Sequence, residues 1–271
     1  MSKYERTNIK SDMLKMVIIR FDYSGATNIV DFVNKIKMSD FMRSAFSKMR
    51  PMEQRQLSMS LRPRELYEGR MPLTQRQTST LYHFFECQLH QGIEAYLDIN
   101  IESTLLVVNI NKAYEGSGKF TEFMAWLLFE LHQYDRFISI DRIGIRKIDG
   151  QEITEERNFE YYFNDNYYVV KSWKAKPDKN KVNLTEMFID EKVNFNVTQQ
   201  IERPHGKKGK VFAIYDIDAF IVNGDINEML EDKTKMINFL DSDMQEKMFR
   251  MFENVVTETY LESCYVSDKE E

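Results

Sequence analysis

A chain of 271 residues with 42% hydrophobic and 13% aromatic residues can bury a sizeable core and is too apolar to be intrinsically disordered. A net charge of −6 argues against a general nucleic-acid coat, and two widely separated cysteines, Cys87 and Cys264, exclude a disulfide framework and a cysteine zinc site. His83, His90, His132 and His205 form no ligand pair at helical spacing, no window reaches the roughly 20 apolar residues of a membrane span, and residues 1–15 lack a signal core, so the expectation is a cytoplasmic chain with no metal, cofactor or membrane partner.

Lys15–Tyr23 alternates as a strand, with Val17, Ile19 and Phe21 on one face and Arg20 and Asp22 on the other. From Thr27 the apolar residues follow helical spacing through Ile36, with Thr27 or Asn28 as cap, and Phe41, Met42, Ala45, Phe46 and Met49 continue it until Pro51. Residues 50–78, punctuated by Pro51, Pro63 and Pro72, read as an extended basic connection containing a short strand at Gln56–Leu61. Three strands follow, Thr80–Gln88, Gly92–Ile101 and Thr104–Ala113, and then a helix from Phe120 to about Tyr134.

Phe137–Asp149 returns as a strand that places Arg142, Gly144, Arg146 and Ile148 on one face and Ile143 and Ile145 on the other. A short helix through Phe159 and Phe163 leads into an aromatic run, Tyr161 to Trp173, read as a packed strand. Lys174–Lys181 is the best surface loop and divides an N-terminal half, 1–173, from a closely associated C-terminal half, 182–271. In the second half, Val193–Ile201 and Lys210–Phe220 form a hairpin, and capping-box spacings at Asp225–Glu228 and Asp243–Glu246 open two helices, the second with a methionine stripe suited to the core. The hairpin and helix of 92–134 are echoed at 193–240, which suggests two related strand-strand-helix halves. The fold class that follows is α+β, a mostly antiparallel sheet with packed helices.

Two arginines on one strand face require partners, because an unpaired buried cation is costly. Asp216 and Asp218, at i and i+2 of a later strand, are suitable, and Arg20 can join them. The expected structural ion cluster is therefore Arg20, Arg142, Arg146, Asp216 and Asp218. The competing chemistry for the aspartates is a divalent cation held for phosphoester hydrolysis, which would need a third carboxylate and an acid or base; Asp22, Glu94 and His205 are the residues available. Gly116-Ser117-Gly118-Lys119 lacks the spacing of a phosphate loop, and no serine or cysteine sits in a nucleophile context, so no catalytic residue is assigned. Basic residues concentrate in the 43–76 segment, where Arg62, Arg64, Arg70 and Arg76 are the candidates for anion or nucleic-acid binding.

The segment 98–124, the arginine strand "RIGIRKID", the strand "AIYDIDAF" and a C-terminal helix with Phe252 and Thr257 together resemble a sporadically distributed bacterial family of about 250 residues with no assigned chemistry. Arg142, Gly144, Arg146 and Ile148 match its Arg-apolar-Gly-Leu-Arg-Tyr-Ile-Asn pattern, whereas Lys147 and Asp149 replace the tyrosine and asparagine. The resemblance implies a cytoplasmic bacterial protein of a defence or mobile-element neighbourhood. The expected function is a non-enzymatic protein-binding accessory, sensor or immunity-type component; the alternative is nucleic-acid binding or metal-dependent processing.

Overall fold

The computed structural model describes residues 3–60, 73–110, 116, 118–135, 137–167, 181–202, 211–222, 226, 229–230 and 232–266, without the side chains of 54–60, 73–78, 181–182 and 202. Nine strands make one antiparallel sheet: β1 (Leu14–Ser24), β2 (Phe46–Ser60), β3 (Leu73–Cys87), β4 (Glu94–Ile99), β5 (Ser103–Asn109), β6 (Ser139–Ile153), β7 (Lys181–Asp190), β8 (Val193–Glu202) and β9 (Val211–Val222). Their order is β2-β3-β4-β5-β1-β6-β9-β8-β7. The fold is α+β.

β1 and β6 lie side by side at the centre, and each is flanked outward by the meander that follows it in the chain: β5, β4, β3 and β2 on one side, β9, β8 and β7 on the other. The sequence echo between 92–134 and 193–240 thus falls on equivalent places in the sheet. Because β6 pairs with β9 along most of its length, the halves divided at 173/182 share one sheet and one core.

Helices α1 (Ile29–Ile36) and α2 (Asp40–Ala45) begin at Asn28 and Ser39, whose side chains accept from the backbone N–H groups of Asp31 and Met42. Helix α3 (Gly118–Tyr134) buries Phe120, Phe123, Met124, Leu127, Leu128 and Leu131, in keeping with their spacing. A short α4 (Phe159–Tyr162) precedes the buried Tyr167, whose hydroxyl donates to the carbonyls of Gln200 and Ile214. The C-terminal helices are α5 (Lys233–Asn238), a π-helical turn (Phe239–Met244), α6 (Gln245–Val255) and α7 (Glu258–Cys264). Among the described residues no helix is long and apolar enough to cross a membrane.

Several elements differ from their sequence reading. The helical spacing of Phe46 and Met49 is overridden, since β2 starts at Phe46 and runs through Pro51. Proline is tolerated there because β2 is an edge strand, where a missing N–H need not break a ladder on both sides. Residues 50–60 and 73–78, read as part of a connection, pair as a long hairpin. β7 has no counterpart among the expected strands. The helix expected from Asp243–Glu246 is α6, which begins at Gln245, but it has no side-chain cap: Met244 is itself helical, and the chain enters α6 directly from the π turn. The Asp225–Glu228 cap, most of the 174–181 loop, Tyr168 and Trp173 lie outside the described residues.

Candidate functional site

The two faces of β6 lead to two different constellations. On one face Arg142 Nη2 donates to both carboxylate oxygens of Asp218, at 2.8 and 2.7 Å, and Arg146 grips Asp216 with Nε at 2.8 Å and Nη2 at 2.5 Å. The register sets Arg142 opposite Val222, Gly144 opposite Phe220 and Arg146 opposite Asp218, so each arginine leans along its strand to an offset partner. Gly144 makes this lean feasible for Arg142: its guanidinium lies 4.4 Å from the Phe220 ring centre, and a Cβ on Gly144 would stand 3.4 Å from Arg142 Nη2.

Arg20 does not reach either β9 aspartate. Its Nε donates to Asp22 two residues along its own strand at 2.6 Å, and Asp22 in turn lies 3.6 Å from Arg142 Nη1. The reason is distance across the sheet: β6 stands between β1 and β9. Asp22 is thus a member of the cluster that pairing across strands did not reveal. Burial pushes the Asp218 carboxyl up, opposed by Arg142 and Arg146, while the bond to Asp216 pushes Arg146 up. Arg146 keeps 45% of its side chain exposed while Asp216 keeps only 12%, so the pair joins a solvent-facing guanidinium to a largely buried carboxylate.

Of the basic candidates, Arg62, Arg64 and Arg70 lie outside the described residues, as does the side chain of Arg76. Elsewhere in that segment Lys48 is paired with Glu86, and the Arg50 guanidinium sits over Phe85.

On its other face β6 carries Ile143 and Ile145 into the core, and the same alternation then delivers Lys147 and Asp149. These two line a cavity of about 600 Å³, within the size range of small-molecule sites, roughly 300–1,000 Å³. The sheet supplies Gln151 and Ile217 beside them, α6 supplies Met248, Phe249 and Phe252, and the segment Arg6–Lys15, which crosses between them, completes much of the lining.

That crossing segment is fastened to the C-terminal helices. Arg6 donates to the Asp241 carbonyl at 3.1 Å, the Lys10 amide donates to the Cys264 carbonyl at 2.9 Å, and the Tyr260 hydroxyl donates to Asp12 at 2.7 Å while bonded to Ser11 at 2.8 Å. Beside the cavity β1 is bulged: Leu14 pairs with Asp149 and Met16 with Ile148, leaving Lys15 as the extra residue. A bulge of this kind re-aims side chains and breaks the ladder where a site is built.

Asp149 is only 5% exposed, yet among the described residues its carboxyl has neither a hydrogen-bond donor nor an ion-pair partner. Burial pushes its pKa up to about 7, against the pull of Lys147 and Lys15 and with a further push from Asp216. Lys147, which keeps partial contact with the cavity, is pushed down to about 8 by burial and by Arg6, opposed by Asp149, Asp241 and Glu246. Near pH 7 the cavity therefore offers a mostly charged ammonium and a carboxyl divided between donor and acceptor forms. The signal for this site was already in the alternation of β6: Lys147 and Asp149 share the parity of Ile143 and Ile145. They are also the two departures from the resembled family pattern.

Comparison with known proteins adds no family. No protein-family model matches the chain, and no curated protein matches it. Among solved structures, S. pombe Pct1 RNA triphosphatase in complex with the Spt5 CTD aligns with 5% identity over 90% of this chain and 82% of that chain, at a TM-score of 0.15, a level that carries neither fold nor function across.

Proposed function

We propose that the protein is a non-enzymatic sensor-type module whose β6 cavity takes a small molecule and whose loaded state is read by a protein partner. The observation that carries this is the nearly buried Asp149, without a partner among the described residues, at a cavity of about 600 Å³ with an apolar α6 wall. A nearly buried carboxyl that opens on a cavity and takes no bond from the protein is a polar anchor point for a ligand. The protein partner is favoured by edge strand β7, where Met187 and Ile189 are 79% and 69% exposed on one face and the outer ladder edge meets no strand among the described residues. The defence or mobile-element setting rests on the family resemblance alone.

The nucleic-acid-processing alternative draws less support. Both oxygens of Asp218 and of Asp216 accept from arginines, so a cation between them would first have to displace two guanidinium groups.

The test is native mass spectrometry of the protein purified under gentle conditions, beside Ile217→Trp, which places an indole in the cavity. A small molecule retained by the wild type and absent from the variant supports the reading. Failure of a broad small-molecule collection to shift the melting temperature of the wild type, with no retained mass, refutes it.

A further inference from the structure

The cavity is not neutral in its demands. Arg6, Lys10, Lys15 and Lys147 contribute four cationic side chains to its lining, against two acidic ones, Asp12 and Asp149. Asp12 is already engaged by the Tyr260 hydroxyl and lies 3.9 Å from Arg157. Arg6 is likewise turned toward Asp241, and Lys15 toward the Asp12 carbonyl. What remains facing the space is a lysine and an unpartnered carboxyl two residues apart on β6, with Lys10 also in the lining. Ser11 is bonded to Tyr260 and Gln151 to the Glu152 carbonyl, and the remaining wall is mostly apolar: Ile9, Leu14, Ile217, Met248, Phe249 and Phe252, with Thr7 among them.

We infer that the occupant is an amphipathic anion whose carboxylate or phosphate head is held between Lys147 and Asp149 and whose hydrocarbon body lies along Met248, Phe249 and Phe252. This deepens the proposed function and rests on it. An anion receives a charge-assisted bond from Lys147, and it can accept a second bond from Asp149 in its protonated form. A cationic head would be drawn to Asp149 but would enter among Lys147, Lys10, Lys15 and Arg6, which repel it. A wholly neutral apolar ligand would leave both β6 groups unsatisfied.

The experiment measures binding of four ten-carbon probes to the full chain by calorimetry: decanoate, decyl phosphate, decanol and decylamine. The expected result is binding of decanoate, decyl phosphate or both, at least tenfold tighter than decanol, with decylamine weaker still. The two anions separate the carboxylate from the phosphate source of the same chemistry. In Lys147→Met, an apolar replacement of similar length, anion affinity should fall roughly ten- to a hundredfold, the worth of a hydrogen bond to a charged group. The decanol affinity should stay within about threefold of the wild type, which separates loss of the head contact from loss of the fold. Asp149→Asn retains a donor and should keep most of the anion affinity, whereas Asp149→Leu should lose it.

Preferential binding of decylamine or decanol, abolished by Ile217→Trp, overturns the anion assignment and leaves the cavity as a ligand site. Silence of all four probes, together with a retained molecule that is not an amphipathic anion, also overturns it, whereas a retained amphipathic anion of another length supports it. Silence of the probes with no retained molecule removes the underlying reading as well.

Discussion

Replacing Asp149 by asparagine should stabilise the protein, and the gain should depend on pH in a specified way. The native carboxyl holds its proton up to about pH 7, whereas the unfolded carboxyl releases it near 3.8. Between those values the folded state binds more protons than the unfolded one. Stability from this group is thus fully present below pH 3.8 and is lost as pH rises toward 7. The span of about 3 pH units, at about 1.4 kcal/mol each, sets a ceiling on the order of 4 kcal/mol. Water admitted by the cavity screens the carboxylate, and about half of that ceiling, ~2 kcal/mol, is the expected size. For a chain of this length that corresponds to about 4 °C in Tm. The assay is thermal unfolding of wild type and Asp149→Asn from pH 4.5 to 7.5, a range that ends below the Lys147 pKa of about 8. The Tm difference should be smallest at the acid end, about a quarter of its full size at pH 4.5, grow with pH and begin to level off above pH 7. A difference that is flat across the range, or an asparagine variant less stable at pH 7.5, would refute the assignment of Asp149 as a buried, unpaired acid.

Other perturbations address the opposite face of β6. In Gly144→Ala the new methyl would meet Phe220 Cβ at 3.0 Å and the Ala219 carbonyl oxygen at 3.1 Å, so chemical denaturation should show a loss of about 1–3 kcal/mol from overpacking. Arg142→Met leaves Asp218, 23% exposed, without its partner, and Arg146→Met leaves the more buried Asp216, 12% exposed, without its own; each should cost about 1–3 kcal/mol, because the cost is set by the carboxylate left behind. No loss of stability for Arg146→Met in urea melts would contradict the reading of Asp216 as a carboxylate that depends on that pair. A double-mutant cycle of Arg142→Met with Asp218→Asn should return a coupling of about 1 kcal/mol or more, and a cycle of Arg20→Met with Asp218→Asn should return none, because Arg20 is bonded to Asp22.

The cavity and the arginine row share one strand, and this has a physical consequence. Lys147 and Asp149 alternate with Arg146 and Ile148, so any shift of β6 against its neighbours moves both constellations together. The offset bonds of Arg142 and Arg146 to Asp218 and Asp216 resist such a shift. The cluster therefore holds the cavity groups in place from behind, across the thickness of the sheet.

Much of the fold was legible because burial has a period. The alternation of Val17, Ile19 and Phe21 and the helical spacing of Phe120 to Leu131 identify faces that must be covered, and both are covered. β7 was missed because Leu184, Met187, Phe188 and Ile189 are partly or largely exposed and follow no single buried face. An edge strand formed by pairing with β8 leaves little record in hydrophobic pattern. β2 was obscured by Pro51, whose harmlessness depends on a position at the sheet edge that no local pattern gives.

The sequence by itself determined the antiparallel α+β class, the central arginine strand and the residue types from which its ion pairs are drawn, since these follow from periodicity and from the cost of an unpaired charge. Only the tertiary structure decided who pairs with whom. Which strands are neighbours is a long-range property, and it alone gives Arg20 to Asp22 and Arg142 to Asp218. It also decided that the parity shared by Ile143, Ile145, Lys147 and Asp149 ends not in packed core but at a cavity, because the crossing segment Arg6–Lys15 and helix α6 meet the sheet there without filling the space between them.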